Sequence, residues 1–337
     1  MTPPATEQIL RDVRPDGTAL DVVGIGNALV DVLSHENHDF IAANELVKGA
    51  MTLIDTDRAR TLYEAMGPGI EVSGGSAANT AAGVASFGGR AAYLGKVFDD
   101  QLGVVFAHDM RANGVVFRSP PATDGPPTGR CLIVVTPDAE RTMNTYLGAS
   151  ADFGPEDVDA ELVELSRYTF LEGYLFDRPE AKAAYRKASE IAHGAGRKVA
   201  LTLSDTFCVE RHHDEWRQLV AEQVDVLFAN GAELQVLYGT ELDEAVEQAR
   251  SEVELACVTL GPKGSLLVTA EGTVEVPAHP VEVVDTTGAG DLYAAGVLHG
   301  LAAGFPLAEC GRLGSIAASA VIGHTGARPG QSLAQLA

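Results

Sequence analysis

Late in the chain, Asp285-Thr286-Thr287-Gly288-Ala289-Gly290-Asp291 sets two carboxylates and two hydroxyls around a turn that only small residues can form. The turn follows a β-branched run, Val281, Val283 and Val284, which reads as a strand. It opens an Ala-rich stretch, Leu292 to Val297, which reads as a helix. Gly288, Ala289 and Gly290 would then present backbone N–H groups, clear of large side chains, at a helix N-terminus. The partial positive charge there favours a phosphate or a developing oxyanion. Asp291, in the first turn, stands where a carboxylate can take the proton of a hydroxyl attacking that phosphate. An ordinary acidic helix start has the same outline, but the paired threonines and flanking aspartates point to phosphoryl transfer.

Other residues offer partners for that turn. Asp31 lies in the apolar run Val22 to Leu33, where a buried carboxylate needs partners. It is either a strand-end acid facing water or an acceptor for substrate hydroxyls. A second glycine turn, Gly74-Gly75, opens a small-residue helix that ends at Gly88-Gly89, a pair suited to a left-handed cap. Asn79 falls near the start of this helix and serves either as a cap or as a substrate ligand. Asn230-Gly231-Ala232-Glu233 reads as a helix cap with an acidic first turn, or as an amide and carboxylate beside a metal–phosphate complex. Two tempting motifs carry less. Gly24-x-Gly26 lacks the third glycine and the following helix of a dinucleotide fingerprint. Arg211-His212-His213-Asp214-Glu215 reads as a solvated face, because consecutive side chains diverge, and Trp216 as a half-buried anchor.

The elements that would position these residues alternate. Strand patterns at 168–171, 198–203, 224–229, 255–259 and 265–268 are separated by helical patterns around 178–194, 214–222 and 241–251. Such alternation implies a mostly parallel sheet covered by helices on both faces, with ligands at the carboxyl ends of the strands. Asn230, Glu233, Thr259 and Gly261 all fall at or just after such ends. Residues 34–55 close on a strand-like Met51 to Asp55. Short strand patterns at 115–119, 129–136 and 141–146 are punctuated by prolines. These two segments read as a small β-layer, a lid that would keep water from a transferring phosphate. The expected division is a loosely attached arm, 1–20; an α/β core from 21–33, 56–113 and 149–337; and a β-lid from 34–55 and 114–148. The Gly/Ala/Ser-rich stretch Leu307 to Ile322 reads as a close-packing helix that could lie against a flat ligand such as a purine.

Composition fits a globular α/β enzyme: 337 residues, 46% hydrophobic, 6% aromatic, with 36 glycines. A net charge of −23 opposes broad binding to nucleic acid or to an anionic membrane. The four cysteines show no metal-ligand spacing and read as reduced structural thiols. No apolar run reaches the ~20 residues of a membrane helix, and no signal-peptide core is evident, so a cytoplasmic location is expected.

Asp285 to Asp291 resembles the second signature of the PfkB, or ribokinase-like, carbohydrate and nucleoside kinases. Gly74-Gly75-x-x-x-Asn79-x-Ala81, with Gly88, Gly95, Asp100 and Gly103 downstream, is similar to the first. Asn230-x-x-Glu233 and Thr259-Leu260-Gly261-x-x-Gly264 match in order and spacing. Phe98 departs from the glycine often found in Gly95-x-x-Gly. The resemblance implies a Rossmann-like core with a β-sheet lid, transferring the γ-phosphate of ATP to a hydroxymethyl group. By position, Asp291 would be the base and the Gly288, Ala289 and Gly290 amides the anion hole. Asp31, Gly75 and Asn79 would hold substrate hydroxyls. Asn230 and Glu233 would organise Mg²⁺ and phosphate through water, and Thr259, Gly261 and Gly264 would line the nucleotide. A monovalent cation such as K⁺ would sit near Asp285 and Thr287, and a lid edge could pair with a second copy as a homodimer. Gly26 to Asp31 and Gly74 to Thr80 look more like the adenosine kinase branch than the ribokinase one. The expected acceptor is therefore adenosine, giving the 5′-monophosphate. A sugar kinase on ribose, fructose or a keto-deoxy acid is the alternative, and a non-catalytic binding relative stands behind both.

Overall fold

The computed structural model describes residues 5–138 and 140–337; Met1 to Pro4 of the expected arm and Ala139 of the expected lid lie outside the described residues. Residues 5–20 carry helix α1 (Ala5–Arg11), whose Ile9 and Leu10 pack against the core, and Arg14 then pairs with Asp21 at 2.7 Å. Strand β1 (Leu20–Ile25) is buried throughout. After Gly26 to Ala28 the chain leaves for a second sheet. There β2 (Leu29–His35), helix α2 (His38–Ala43), β3 (Met51–Leu53), α3 (Thr56–Ala65) and β4 (Gly69–Gly74) follow. Helix α4 (Ser76–Ser86), β5 (Ala91–Leu94) and α5 (Gln101–Ala112) return to the first sheet; β6 (Gly129–Val135) and β7 (Arg141–Tyr146) go back to the second.

From there the chain alternates. Helix α6 (Ala160–Glu164) precedes β8 (Ser166–Glu172), α7 (Pro179–Gly194) precedes β9 (Lys198–Thr202), and α8 (Thr206–Arg211) and α9 (His213–Gln223) precede β10 (Val226–Asn230). Helices α10 (Gly231–Tyr238) and α11 (Leu242–Glu252) lead to β11 (Leu255–Thr259), β12 (Ser265–Thr269) and β13 (Gly272–Val276). Helices α12 (Ala289–Ala303) and α13 (Leu307–Ile322) close the core.

The large sheet runs β13-β12-β11-β10-β9-β8-β1-β5, parallel except where β12 and β13 join antiparallel, and the small one runs β3-β7-β6-β2-β4. Successive side chains on a strand point to opposite faces, and two apolar layers follow from that. Ala256 and Val258 of β11 face α7, α9, α10 and α11, while Leu255 and Cys257 face α4, α12 and α13. The α/β sheet covered on both faces, with a small β-lid, is as expected. Trp216, expected to be half-buried, is fully buried and donates its Nε1 proton to the Cys208 carbonyl at 3.0 Å. No helix among the described residues is long and apolar enough to cross a membrane.

The lid is larger than its expected segments. β2 and β4 belong to it, pairing antiparallel from Leu29↔Gly74 to Ser34↔Gly69. Residues 115–119 do not: Val116 bridges to Ala92 at the edge of the large sheet. The strand expected over Val281 to Val284 does not form. Pro277 and Pro280 precede it, Val284 N–H donates to the Ile322 carbonyl at the end of α13 at 2.8 Å, and the three valines are exposed.

Candidate active site

A cavity of about 1100 Å³ lies between the carboxyl ends of the large sheet and the inner face of the lid. The core side contributes Asn27, Glu172, Thr202, Asn230 and Thr259, each at or just past the end of a strand. The lid contributes Asp31, Cys131, Ile133, Met143 and Thr145, alternate residues of three adjacent strands, together with Met51 to Leu53. Arg130 falls on the opposite face, its guanidinium 5.3 Å over the Tyr63 ring.

The mouth of α12 forms the floor. Gly288 adopts φ +78, a left-handed conformation that disfavours side chains, and a Cβ there would meet the Cα of Ala327 at 3.0 Å. Gly290 is exposed, with nothing within 4 Å of where a Cβ would stand, so the backbone there is open to a ligand. Behind the turn, Asp285 Oδ1 accepts from the Thr287 N–H at 3.0 Å and its hydroxyl at 2.7 Å. Oδ2 accepts from the Gly326 N–H at 3.0 Å and from Arg141 of β7. Burial opposes the charge on Asp285, but these bonds and Arg141 leave its pKa below the usual carboxylate range.

Asp291 is held from α4. Its Oδ1 accepts from Ser76 Oγ at 2.6 Å and its Oδ2 from Asn79 Nδ2 at 2.9 Å. The helices can approach this closely because α4 has Gly83 at their crossing, where a Cβ would meet Ala295 Cβ at 2.6 Å. Burial raises the Asp291 pKa, against the lowering effect of Ser76, Asn79 and Arg328. Asn79 is itself buried, and its Oδ1 has no partner. Gly75 begins α4 at φ +99, where a Cβ would strike the Asn27 carbonyl oxygen at 2.2 Å. Having no side chain, it cannot cap the helix. Glu172 does so from the end of β8, accepting from the Ala77 N–H at 2.8 Å and from Asn27 Nδ2 at 2.8 Å.

Asp31 faces the cavity from β2. Burial pushes its pKa up to about 6, with Arg141 and Arg328 pulling it down and Asp291 adding to the rise. Glu172 rises to about 7 for the same first reason, burial, and so does Glu233. Asn230 and Glu233 form a reciprocal capping box: Asn230 Oδ1 accepts from the Glu233 N–H at 2.9 Å, and the Glu233 carboxylate accepts from Asn230 Nδ2 at 2.6 Å and from its N–H at 2.9 Å. The pair is a cap, and it also lines the cavity.

The structure therefore brings Asp31, Gly75, Asn79, Asn230, Glu233, Thr259, Thr287, Gly288, Ala289, Gly290 and Asp291 to one cavity. Gly261 and Gly264 stand outside that lining. Gly264, at φ +95, shapes a turn against Val276, and a Cβ at Gly261 would have open space. The small residues of α13 are taken up by close packing, Gly314 against Tyr293 of α12 and Gly311 against Val276 of β13. Sequence reasoning assigned no role to Ser76, Glu172 or Arg328. Arg328 donates to the Ala78 carbonyl at 2.9 Å and the Ser73 carbonyl at 3.1 Å, and burial lowers its pKa to about 10. The acid closing the apolar run Phe170-Leu171-Glu172 was the one local signal among the three.

Among the described residues, no group of three or more His, Cys, Asp or Glu is placed to hold a metal ion unaided. Glu233 and Asn230 put one carboxylate and one amide on the cavity wall, a donor set that suits Mg²⁺ held largely by water and phosphate oxygens.

An open glycine turn at a helix N-terminus, a carboxylate at its mouth and a lid facing a mostly parallel sheet suit a phosphotransferase with an alcohol acceptor. The chain belongs to the pfkB family of carbohydrate kinases, whose model matches residues 68–333. The structure of adenosine kinase from Sinorhizobium meliloti shares 53% identity, covering 94% of this chain and 98% of that one, with a TM-score of 0.87. A Rhizobium etli CFN 42 protein described as a "probable sugar kinase protein" shares 48% identity over 95% of this chain and 98% of its own, with a TM-score of 0.88. Among curated relatives, fructokinase-1 of Oryza sativa subsp. japonica is 29% identical over 68% of this chain and 73% of its own length. The protein is thus a kinase of the sugar and nucleoside type.

Proposed function

We propose that the protein transfers the γ-phosphate of ATP to the 5′-hydroxyl of a nucleoside, adenosine first. The observation that carries this reading is the make-up of the cavity wall. Beyond the hydroxyl-binding groups it has Met51, Leu53, Ile133 and Met143 on the lid, with Tyr174 and Phe207 also lining it. Four of these are exposed: Met51 by 45%, Leu53 by 48%, Phe207 by 62% and Tyr174 by 37%. Exposed apolar side chains gathered in a cleft mark a place for an apolar ligand surface. A purine supplies one; a free sugar does not. The similarity to the Sinorhizobium meliloti enzyme supports the same choice.

In this reading Asp31 and the unpartnered Asn79 Oδ1 accept hydrogen bonds from ribose hydroxyls, and Gly75 lets the backbone approach the ligand. Asp291 takes the 5′-hydroxyl proton as the oxygen–phosphorus bond forms. The bond between the γ-phosphorus and the β,γ-bridging oxygen breaks, and ADP leaves. The amides of Gly288, Ala289 and Gly290 meet the charge that develops on the transferring group. Asn230 and Glu233 would hold Mg²⁺ through water, and the ion would neutralise the triphosphate. Thr259 would face the nucleotide from the cavity wall, while Gly261 and Gly264, outside that lining, shape the turn after it.

The pfkB assignment and the fructokinase relatives favour a second reading, a free-sugar kinase of the same chemistry. ADP release measured over a panel of nucleosides and sugars separates the two. Adenosine should give the highest kcat/KM; turnover confined to free sugars would sink the nucleoside reading.

A further inference from the structure

A monovalent cation at Asp285 and Thr287 does not fit the donors already present. Asp285 has two oxygens and roughly four lone-pair sites, and four donors occupy them: the Thr287 N–H and hydroxyl, the Gly326 N–H and Arg141. Both side chains of the ion pair are only 9% exposed, so it is shielded from solvent ions. A cation could enter only by expelling a guanidinium that has its own charge to keep compensated.

We propose that Arg141 supplies, from the lid, the positive charge that a bound monovalent cation would otherwise supply, so that phosphoryl transfer by this protein does not require K⁺. Asp285 clamps the anion-binding turn in two directions. It fixes Thr287, one residue before Gly288, and through Gly326 it holds the loop whose Ala327 closes off the space where a Gly288 Cβ would stand. Arg141 completes that clamp from β7 and lies near enough to Asp31 to lower its pKa. One arginine therefore steadies the turn, compensates the acceptor-side carboxylate and ties both to the lid. Arg141 is a positioning residue: it acts on the transferring group through the turn.

The test compares the unaltered protein with Arg141→Ala and Arg141→Lys in potassium and choline salts at matched ionic strength. It reads ADP release with the best acceptor and the melting temperature without ligands. The unaltered protein should keep kcat within about twofold in the two salts and show no potassium-specific rise in melting temperature. Arg141→Ala should lose roughly tenfold or more in kcat in choline, the scale of a disturbed anion hole. Potassium, entering the vacated position, should restore part of that loss and raise the melting temperature. Arg141→Lys should stay independent of potassium. Strong potassium activation of the unaltered protein would overturn the proposal. So would a folded Arg141→Ala variant indifferent to potassium in both readouts. The melting data decide the matter even if the nucleoside reading of the acceptor fails.

Discussion

Asn79 Nδ2 donates to Asp291 Oδ2 at 2.9 Å, joining residues 212 positions apart and linking α4 to the carboxylate at the mouth of α12. With Ser76 on the other oxygen, the Asp291 carboxylate is fixed in orientation while burial raises its pKa toward that of a useful base. Asp291→Asn should preserve this arrangement, because an amide oxygen can still accept from Asn79 while its NH₂ donates to the Ser76 hydroxyl. The proton acceptor alone is lost. The expected result is a fall in kcat of ~10²–10⁴, with KM for the acceptor little changed. Steady-state kinetics on the variant decide this, and a kcat within about threefold of the parent would remove Asp291 from the base role.

Gly288→Ala probes the turn. The left-handed φ of +78 costs an alanine roughly 1–2 kcal/mol. Its Cβ would also lie 3.0 Å from Ala327 Cα, so the turn or the facing loop must shift. Such a shift misplaces the amides without touching Asp31 or Asn79. The rate should fall by ~10²–10³, the effect of losing one anion-hole donor, while calorimetric binding of the acceptor stays near the parent value. Equal losses in both would place the damage elsewhere.

The contrast between these residues and Arg141 shows what the sequence carries. Gly288, Ala289, Gly290 and Asp291 are adjacent, and a turn, a helix start and an acid are local properties, so the geometry they form is readable from spacing. The β11 span is legible for the same reason, since its apolar run is bounded by turn residues. The course of the chain after β1 is not. β2 alternates half-buried and buried residues as a one-sided strand should, yet Gly26 to Ala28 gives no sign that it joins a different sheet. The valines before Asp285 have strand propensity, but Val284 donates to the Ile322 carbonyl at the end of α13 rather than to a strand, and tertiary context overrides the preference. Arg141 and Arg328 acquire their meaning from carboxylates far off in sequence, and local pattern says nothing of that.

Asp31 and Glu172 give opposite pH trends for stability and for acceptor binding. Burial lifts them from ordinary values of 3.8 and 4.5 to about 6 and about 7, so the native protein binds protons more readily than the unfolded chain. Their contribution to stability is fully present below the unfolded values and is lost as pH rises through about 6 to 7. The ligand-free protein should therefore melt progressively lower as pH rises from about 5 to about 7.5, and Glu172→Gln should flatten that slope. Acceptor binding should run the other way: kcat/KM should decline as pH falls through about 6, when Asp31 becomes protonated and loses acceptor capacity. Thermal melts and pH–rate profiles on the parent and Glu172→Gln read both trends. A slope unaltered in the variant would show that Glu172 is not the group responsible.

Glu233 has a structural duty already visible, the capping box with Asn230, and its proposed duty toward Mg²⁺ must be separated from it. Glu233→Gln does so. Glutamine serves at the third position of a capping box much as glutamate does; its single oxygen can keep the bond from the Asn230 N–H, which glutamate accepts at 2.9 Å, and gives up the one from Asn230 Nδ2 at 2.6 Å. The cost to the helix should stay within about 1 kcal/mol. Removing the carboxylate charge from the cavity should instead raise the Mg²⁺ concentration needed for half-maximal rate, and lower kcat at limiting Mg²⁺ more than at saturation. Glu233→Ala loses cap and charge together and should show both a lower melting temperature and the raised Mg²⁺ requirement. If Glu233→Gln titrates with Mg²⁺ as the parent does, the residue is a cap alone, and the water-held ion must be organised by other groups at the carboxyl ends of β9 to β11.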